Sequence, residues 1–365
     1  MNIAIDMSPL RSGNFLQHRV RGTGFYLKNL KNSLGKYYPQ NSYTFFSRGE
    51  KLHKSIDLVH YPYFEPFFLT LPPKIGSKTV VTVHDLTPLV FPRNFPSGIK
   101  GRIKWHFQRS RLKKASAIIT DSNSSKRDIV RFTKFPENKI AVVYLAAGEE
   151  FKRLKTNDLR LEEVRRKYNL PSKFALYVGD VTWNKNLPVL IEAAKIAKIP
   201  LVMVGKAIVQ KEFDKTNPWN QDLVRVQSII KNQKHSVISP QSSITSQIFV
   251  LGFVPQDDLV VLYNLATVFI IPSLYEGFGL PILEAMSCGC PVVTSKEGSI
   301  PEVAGDAALY VDAYDKASIT EGIKEVFNSE SLRKELSEKG LKQARKFSWK
   351  KTAEETVKVY EKVIK

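Results

Sequence analysis

One stretch, Val268 to Asp312 (VFIIPSLYEGFGLPILEAMSCGCPVVTSKEGSIPEVAGDAALYVD), restricts the fold of this chain more than any other. Val268 to Ile271 is a short, fully apolar run rich in β-branched residues, the composition of a buried parallel strand. Pro272 and Ser273 end it. A loop carrying Gly277 and Gly279 then leads to Pro281, placed as the first residue of a helix that runs through Glu284 and Met286, with Gly289 as its C′ residue. Backbone N–H groups from Gly279 to Ile282 would point past the strand's carboxyl end. That is the ligand edge of an open α/β sheet, and a helix N-terminus there favours an anion such as phosphate.

Two carboxylates complicate that reading: Glu276 in the loop and Glu284 one turn into the helix. Acids beside an anion site oppose phosphate unless each has another partner. Sugar hydroxyls supply one, because an ionised carboxylate only accepts hydrogen bonds and a diol donates them. The ligand this pattern implies is a phosphate flanked by sugars, a nucleotide-sugar. Taken alone, each acid has a plainer explanation, a carboxylate complementing a helix N-terminus or a solvated loop side chain. The spacing and the flanking glycines together favour the site.

Glu276-Gly277-Phe278-Gly279-Leu280-Pro281, followed by Glu284, resembles the E-x7-E signature of retaining family 4 glycosyltransferases, and CGCPVVTSKEGSIPEVAGDAALYVD continues the resemblance. It implies an α/β chain of the GT-B class: two Rossmann-like domains facing across a cleft, with a C-terminal helix crossing back to the first. The expected division is an acceptor-side domain at 1–170, a nucleotide-sugar domain at 171–347 and a crossover helix at 348–365. By the same resemblance Glu284 holds the ribose diol and Glu276 the hydroxyls of the transferred sugar. The backbone at Gly252, Phe253 and Val254 edges the base. Gly22, Thr23 and Gly24 face the donor diphosphate and sugar, and His84 contacts the sugar. Transfer in this family is thought to use the leaving phosphate as its base, so no classical general base is expected.

The rest of the chain agrees with alternating strands and helices. NIAID opens the first strand, and Gly22-Thr23-Gly24 precedes a helical pattern of Tyr26, Leu27, Leu30 and Leu34. Strand, glycine turn and helix N-terminus can cradle phosphate, although G-x-G alone more often marks a tight turn. Arg11, Arg19 and Arg21 lie in the same loop region. KTVVTV delivers His84 to a strand's carboxyl end, and DLVHY places His60 similarly with less support. AIITD forms another strand, followed by a helix capped by Ser122 or Ser124. FALYV begins the second domain, and the loop after it, Gly179 to Asn186, carries Lys185, whose ammonium can oppose a diphosphate as a point charge. The resembled family has an Arg-Lys pair there. Asn184 stands at the arginine position and Asp180 where some members have another arginine, which leaves Lys185 as the main cationic ligand. Ala207 to Gln247 reads as an irregular insertion with one helix around Gln221 to Ile230 and a flexible stretch at Pro240 to Ser246.

Charge is placed unevenly. Net charge is +20, and residues 1–200 hold 35 Lys and Arg against 15 Asp and Glu, while the remainder holds 20 of each. The first half is therefore expected to face an anionic surface. Its densest basic segment is Ile99 to Ala115, with Ile99, Ile103, Phe107 and Leu112 at roughly helical spacing and Trp105 between them. This basic amphipathic helix is either a solvated surface helix or a contact for anionic lipid headgroups, with Trp105 and Phe107 either inserted or in the core. No apolar run is long enough to span a bilayer and MNIAIDMSPL lacks a signal peptide's features, so the expected location is cytoplasmic, peripheral on the inner face of the membrane. Cys288 and Cys290 are read as packing residues.

The reading is a retaining hexosyl transfer from a nucleotide diphosphate sugar to a hydroxyl of a lipid-linked or surface glycan. No metal ligand set or other cofactor is expected. IDMSPL, GTGFYLKNL and TVHDLTPL are similar to bacterial mannosyltransferases of surface polysaccharide assembly, which makes GDP-mannose the expected donor and a UDP-hexose the alternative. A nucleotide-sugar epimerase or a phosphorylase would reuse parts of the same site. A basic nucleic-acid-binding protein would explain the charge but not Glu276 and Glu284, and no recognition signature accompanies it, so no nucleic-acid partner is expected.

Overall fold

The computed structural model describes residues 1–10, 21–52, 55–76, 78–234 and 248–365. Arg11, Arg19 and the 235–247 part of the insertion lie outside the described residues. The chain divides into two compact units, Met1–Ala146 with Phe347–Lys365, and Ala147–Lys346.

The first unit is a parallel sheet wrapped by helices. In chain order it has β1 (Asn2–Asp6), α1 (Arg21–Tyr37), β2 (Ser42–Phe46), β3 (Leu58–Tyr61), β4 (Thr79–Thr82), α2 (Thr87–Val90), α3 (Gly98–Leu112), β5 (Ala117–Thr120), α4 (Asn123–Thr133) and β6 (Ile140–Val142). The strand order is β2-β1-β3-β4-β5-β6. α1 buries Tyr26, Leu27, Leu30 and Leu34, the positions that its sequence pattern marks. Gly22, Thr23 and Gly24 stand inside its first turn, not in a turn ahead of it as expected. Ser122 caps α4 by accepting the Ser125 N–H at 3.0 Å. The C-terminal helix, Trp349–Ile364, packs on α1 and buries Trp349, Ala353, Val357 and Tyr360. Ser348 caps it by accepting the Lys351 N–H at 3.2 Å, an interaction worth about 1 kcal/mol.

α3 departs from the expected packing. Its buried positions are Gly101, Gln108 and Leu112. Trp105 is half-buried against the apolar cluster around Phe64, Leu86 and Leu112, with its ring centroid 6.4 Å from that of Phe64. Of the four apolar positions at helical spacing, only Leu112 enters the core. Ile99, Ile103 and Phe107 are 70%, 53% and 52% exposed. The glycine and the glutamine belong to its inward face: a Cβ at Gly101 would lie 2.9 Å from Ser97 Cβ, and Gln108 holds the neighbouring loop by donating to Glu65 O and Thr70 Oγ1 and accepting from Leu71 N.

The second unit begins with α5 (Leu159–Lys167), which packs on α8 (Gln256–Leu265). It continues with β7 (Ala175–Val178), α6 (Leu187–Ala197), β8 (Leu201–Val204), α7 (Gln221–Lys234), β9 (Ile248–Gly252), α8 (Gln256–Leu265), β10 (Val268–Ile271), α9 (Leu280–Ser287), β11 (Val292–Thr294), α10 (Ile300–Ala304), β12 (Leu309–Tyr310), α11 (Lys316–Asn328) and α12 (Glu330–Ala344). Its strands pair in parallel in the order β12-β11-β10-β7-β8-β9. All four residues of β10 are buried, which is why its sequence shows no alternation. β7 and β10 are neighbours although three strands apart in sequence, and the connections leave them in opposite directions across the sheet. That junction is the topological switch point, the place where open α/β sheets bind their ligands.

Candidate functional site

Two loops leave the switch point: Gly179–Asn186 after β7 and Pro272–Gly279 after β10. Buried amides lace them together. Asn184 Nδ2 donates to the Tyr275 carbonyl at 2.9 Å, and the Asn184 carbonyl accepts the Leu274 N–H at 2.7 Å. Asn186, in left-handed backbone with φ 56°, donates through Nδ2 to the carbonyls of Ala313 at 2.7 Å and Pro272 at 3.2 Å. Asn184, at the position where an arginine was the family expectation, is thus a loop-tying amide.

Between these anchors, Lys185 is delivered to Glu276. Its ammonium donates to both carboxylate oxygens at 2.7 Å, and Ser273 Oγ donates to Oε1 at 2.6 Å. The side chains are 19% and 8% exposed. Lys185 and Glu276, expected to serve phosphate and sugar separately, are brought together as one ion pair. The Glu276 backbone is clamped too: its carbonyl accepts the Ser299 N–H at 3.1 Å and the Ser299 hydroxyl at 3.0 Å, and that hydroxyl also lies 2.9 Å from the Phe278 carbonyl. The clamp requires Gly298, where φ is +66° and a Cβ would lie 2.5 Å from the Glu276 carbonyl oxygen.

α9 starts at Leu280, so Pro281 is its second residue and Gly279, with φ 100°, its N-cap. Pro281 has no N–H, and that of Ile282 donates to the Gly279 carbonyl at 3.0 Å. The helix-end donors therefore narrow from the expected Gly279 to Ile282 span to Gly279 and Leu280. Glu284, one turn in, is buried and accepts the Tyr263 hydroxyl at 2.9 Å. Burial raises its pKa to about 7, against the lowering effect of the Tyr263 hydrogen bond and with a further upward push from Glu150. Gly252 ends β9 at φ 66°, Phe253 is 67% exposed and Val254 is buried.

The first unit has its own polar cluster at the strand carboxyl ends. His84 follows β4, and its Nδ1 lies 2.7 Å from Oδ2 of Asp121, which follows the adjacent β5. Tyr26 packs edge-on against His84 at 4.9 Å. Burial lowers the His84 pKa, but the charge and hydrogen bond of Asp121, with Asp85 behind it, outweigh burial and raise it overall. His60 differs. It is fully buried between Thr82 Oγ1 at 2.8 Å and Tyr360 Oη at 2.7 Å, and burial drives its pKa down to about 3, so it is a neutral packing residue. Sequence reasoning missed Asp121, Tyr263, Ser273, Gly298 and Ser299. Asp121 had a usable signal, since AIITD ends beside TVVTVH on neighbouring strands.

Among the described residues, no group of three or more His, Cys, Asp or Glu side chains is arranged to hold a metal ion, and no helix is long and apolar enough to cross a membrane. Cys288 and Cys290 are free and buried, and burial raises both thiol pKa values.

Comparison with known proteins adds family to geometry. The pattern of the family "Glycosyl transferases group 1" matches residues 161–343, and that of "Glycosyltransferase Family 4" matches residues 10–147. The chain is 32% identical to the O-antigen chain mannosyltransferase B of Escherichia coli over 313 residues, covering 83% of this chain and 75% of that one. It is 30% identical to the E. coli serotype-specific mannosyltransferase WbdA over 76% of this chain, but spans only 32% of that longer relative. Among solved structures, sucrose-phosphate synthase from Thermosynechococcus elongatus superposes with a TM-score of 0.73 at 17% identity, covering 99% of this chain and 98% of that one. Anabaena HepE, in complex with UDP and glucose, superposes with a TM-score of 0.70 at 15% identity, covering 99% and 100%. At these identities the likeness is one of fold. The two Rossmann-like units, the family patterns and the mannosyltransferase relatives together place the chain in the group 1 and family 4 glycosyltransferases, GT-B enzymes that move a sugar from a nucleotide diphosphate sugar to an acceptor.

Proposed function

We propose that this enzyme transfers mannose from GDP-mannose, with retention at the anomeric carbon, to a hydroxyl of a lipid-linked or surface glycan. The carrying observation is the Lys185–Glu276 pair at the switch point with Glu284 on the following helix. The sugar assignment is supported by relatives named as mannosyltransferases, the O-antigen chain enzyme and WbdA.

In this reading the second unit holds the donor and the first unit the acceptor side. Lys185 turns from Glu276 toward the diphosphate, joined by the N–H groups of Gly279 and Leu280. The carboxylate it releases accepts hydroxyls of the mannose, which resolves the conflict between an acid and an anion in one site. Glu284 accepts the ribose diol beside Tyr263. Gly277, Phe278 and Pro281 shape the loop, and Gly252 to Val254 edge the base with Phe253 exposed for stacking. On the first unit, Gly22, Thr23 and Gly24 are the residues assigned to the donor diphosphate and His84 the one assigned to the sugar. The main demand is stabilising charge on the departing diphosphate, which the Lys185 ammonium and the helix-end N–H dipoles meet without a metal. The enzyme works in the cytoplasm at an anionic membrane surface, with no nucleic-acid partner.

Thermal stabilisation by GDP-mannose against UDP-glucose, followed by mass and anomeric analysis of the product, tests this. Stabilisation by the uridine donor alone would transfer the assignment to a UDP-hexose. Donor turnover into an epimer or a sugar phosphate would end the transferase reading.

A further inference from the structure

The first unit holds 29 Lys and Arg against 11 Asp and Glu, a net +18 of the chain's +20. α3 concentrates that charge and pairs it with exposed apolar surface. At roughly 100° per residue, Ile99, Ile103 and Phe107 fall in one outward band about 80° wide, and all three are more than half exposed. Lys100, Lys104 and Arg111 flank the band on one side, and Arg102, Arg109 and Lys113 on the other, with no acid from Gly98 to Ala115. A helix that only needed solubility would turn its apolar residues inward. Here the inward face is already filled by Gly101, Trp105, Gln108 and Leu112.

The helix leads into a second feature. Lys113 and Lys114, just past its end, join Lys139 and Lys362 around an open cleft of ≈ 720 Å³ at the amino ends of β5 and β6, with Ser116 and Asn138 in its wall and no acid. This edge of the sheet is opposite the one that carries His84 and Asp121.

We infer that α3 is the membrane-docking element of this enzyme, with Ile99, Ile103 and Phe107 seated among the lipid chains of an anionic bilayer and the lysine cleft receiving headgroup phosphate. Charge complementarity fixes the occupant. An apolar ridge bordered by cations on both sides suits the boundary between acyl chains and anionic headgroups, where each residue type meets its own medium. The inference refines the membrane clause of the proposed function, and its test reads lipid binding instead of transfer, so the two can fail separately.

The test is co-sedimentation of the full chain with phosphatidylcholine vesicles, with and without phosphatidylglycerol, at low and high salt. Wild type should bind the anionic vesicles and lose most of that binding in high salt. I99S/I103S/F107S should weaken binding to anionic vesicles by at least about tenfold while its melting temperature stays near wild type, because more than half of each side chain's surface is already exposed. K113Q/K114Q/K139Q/K362Q should lose about fivefold for each lysine that faces the headgroups. Equal vesicle binding by wild type and the apolar triple variant would overturn the inference. So would a lack of vesicle binding combined with dimerisation that the triple variant abolishes, which would make the ridge a contact between copies of this chain.

Discussion

Lys185 Nζ stands 2.7 Å from both carboxylate oxygens of Glu276, an ion pair formed by loops 91 residues apart. Under the proposed function each group is a held-back ligand: the ammonium would leave the pair for a diphosphate, and the carboxylate, which the pair keeps buried and oriented, would then accept sugar hydroxyls.

Removing either partner strands the other in a mostly buried place. K185A and E276A should each lower stability by about 1–3 kcal/mol, and K185M/E276Q by less than the sum. On function they should separate: K185A weakens donor binding, whereas E276A retains GDP affinity and loses turnover. Calorimetry with nucleotide titration checks both, and wild-type turnover by E276A would remove Glu276 from the site.

Glu284 gives a pH dependence. With its pKa raised by burial to about 7, it is protonated below that pH and accepts poorly from a ribose diol. GDP-mannose affinity should therefore rise as pH increases through 7, and E284Q should be weak and flat. The intact nucleotide-sugar is the right probe because its esterified diphosphate does not titrate there. The stability sign is the reverse. The folded state favours the protonated acid, so this group's contribution is present below its unfolded pKa and is lost as pH rises toward 7, and E284Q should flatten that part of the melting-temperature profile.

His84 titrates in the other sense. Asp121 and Asp85 raise its pKa above the ordinary value, so the favourable charged pair is present at lower pH and is lost as pH rises through the folded pKa. D121N should shift the His84 titration to lower pH and move any alkaline limb of the transfer rate with it. NMR titration of the histidine ring reads this directly. An unmoved His84 titration in D121N would show that the aspartate does not control it.

Gly298 tests the loop clamp. G298A places a Cβ against the Glu276 backbone and adds strain at positive φ, so it should cost roughly 1–3 kcal/mol and most of the transfer rate. G49A is the control, with φ +92° but open space around it, and should show the strain alone without loss of activity.

The two sheets were readable because parallel strands buried on both faces leave uninterrupted apolar runs such as VFII and LVMV, and the helices between them carry helical spacing. Glu276, Glu284 and Lys185 stood out as candidates because glycines and a helix start surround them. What the sequence withheld was pairing. That Lys185 would turn to Glu276 depends on Asn184 and Asn186 tying two distant loops, and no local pattern encodes that contact. The outward turn of Ile99, Ile103 and Phe107 was hidden for a related reason. Helical spacing shows that residues share a face but not which way it points, and here the inward face is the one that carries Gly101 and Gln108.

The hydrogen bond between His60 and Tyr360 joins residues 300 positions apart inside one unit. During synthesis, the segment Ala147–Lys346 is complete and free to fold before its elder neighbour, whose core still lacks Trp349 and Tyr360. The first unit can close only after the helix Trp349–Ile364 has been made. Until then it stays open along the face that α1 and β3 will give to the final helix. Order of synthesis and order of completion are therefore inverted between the two units, and removing residues 347–365 would injure the earlier-made unit rather than the later one.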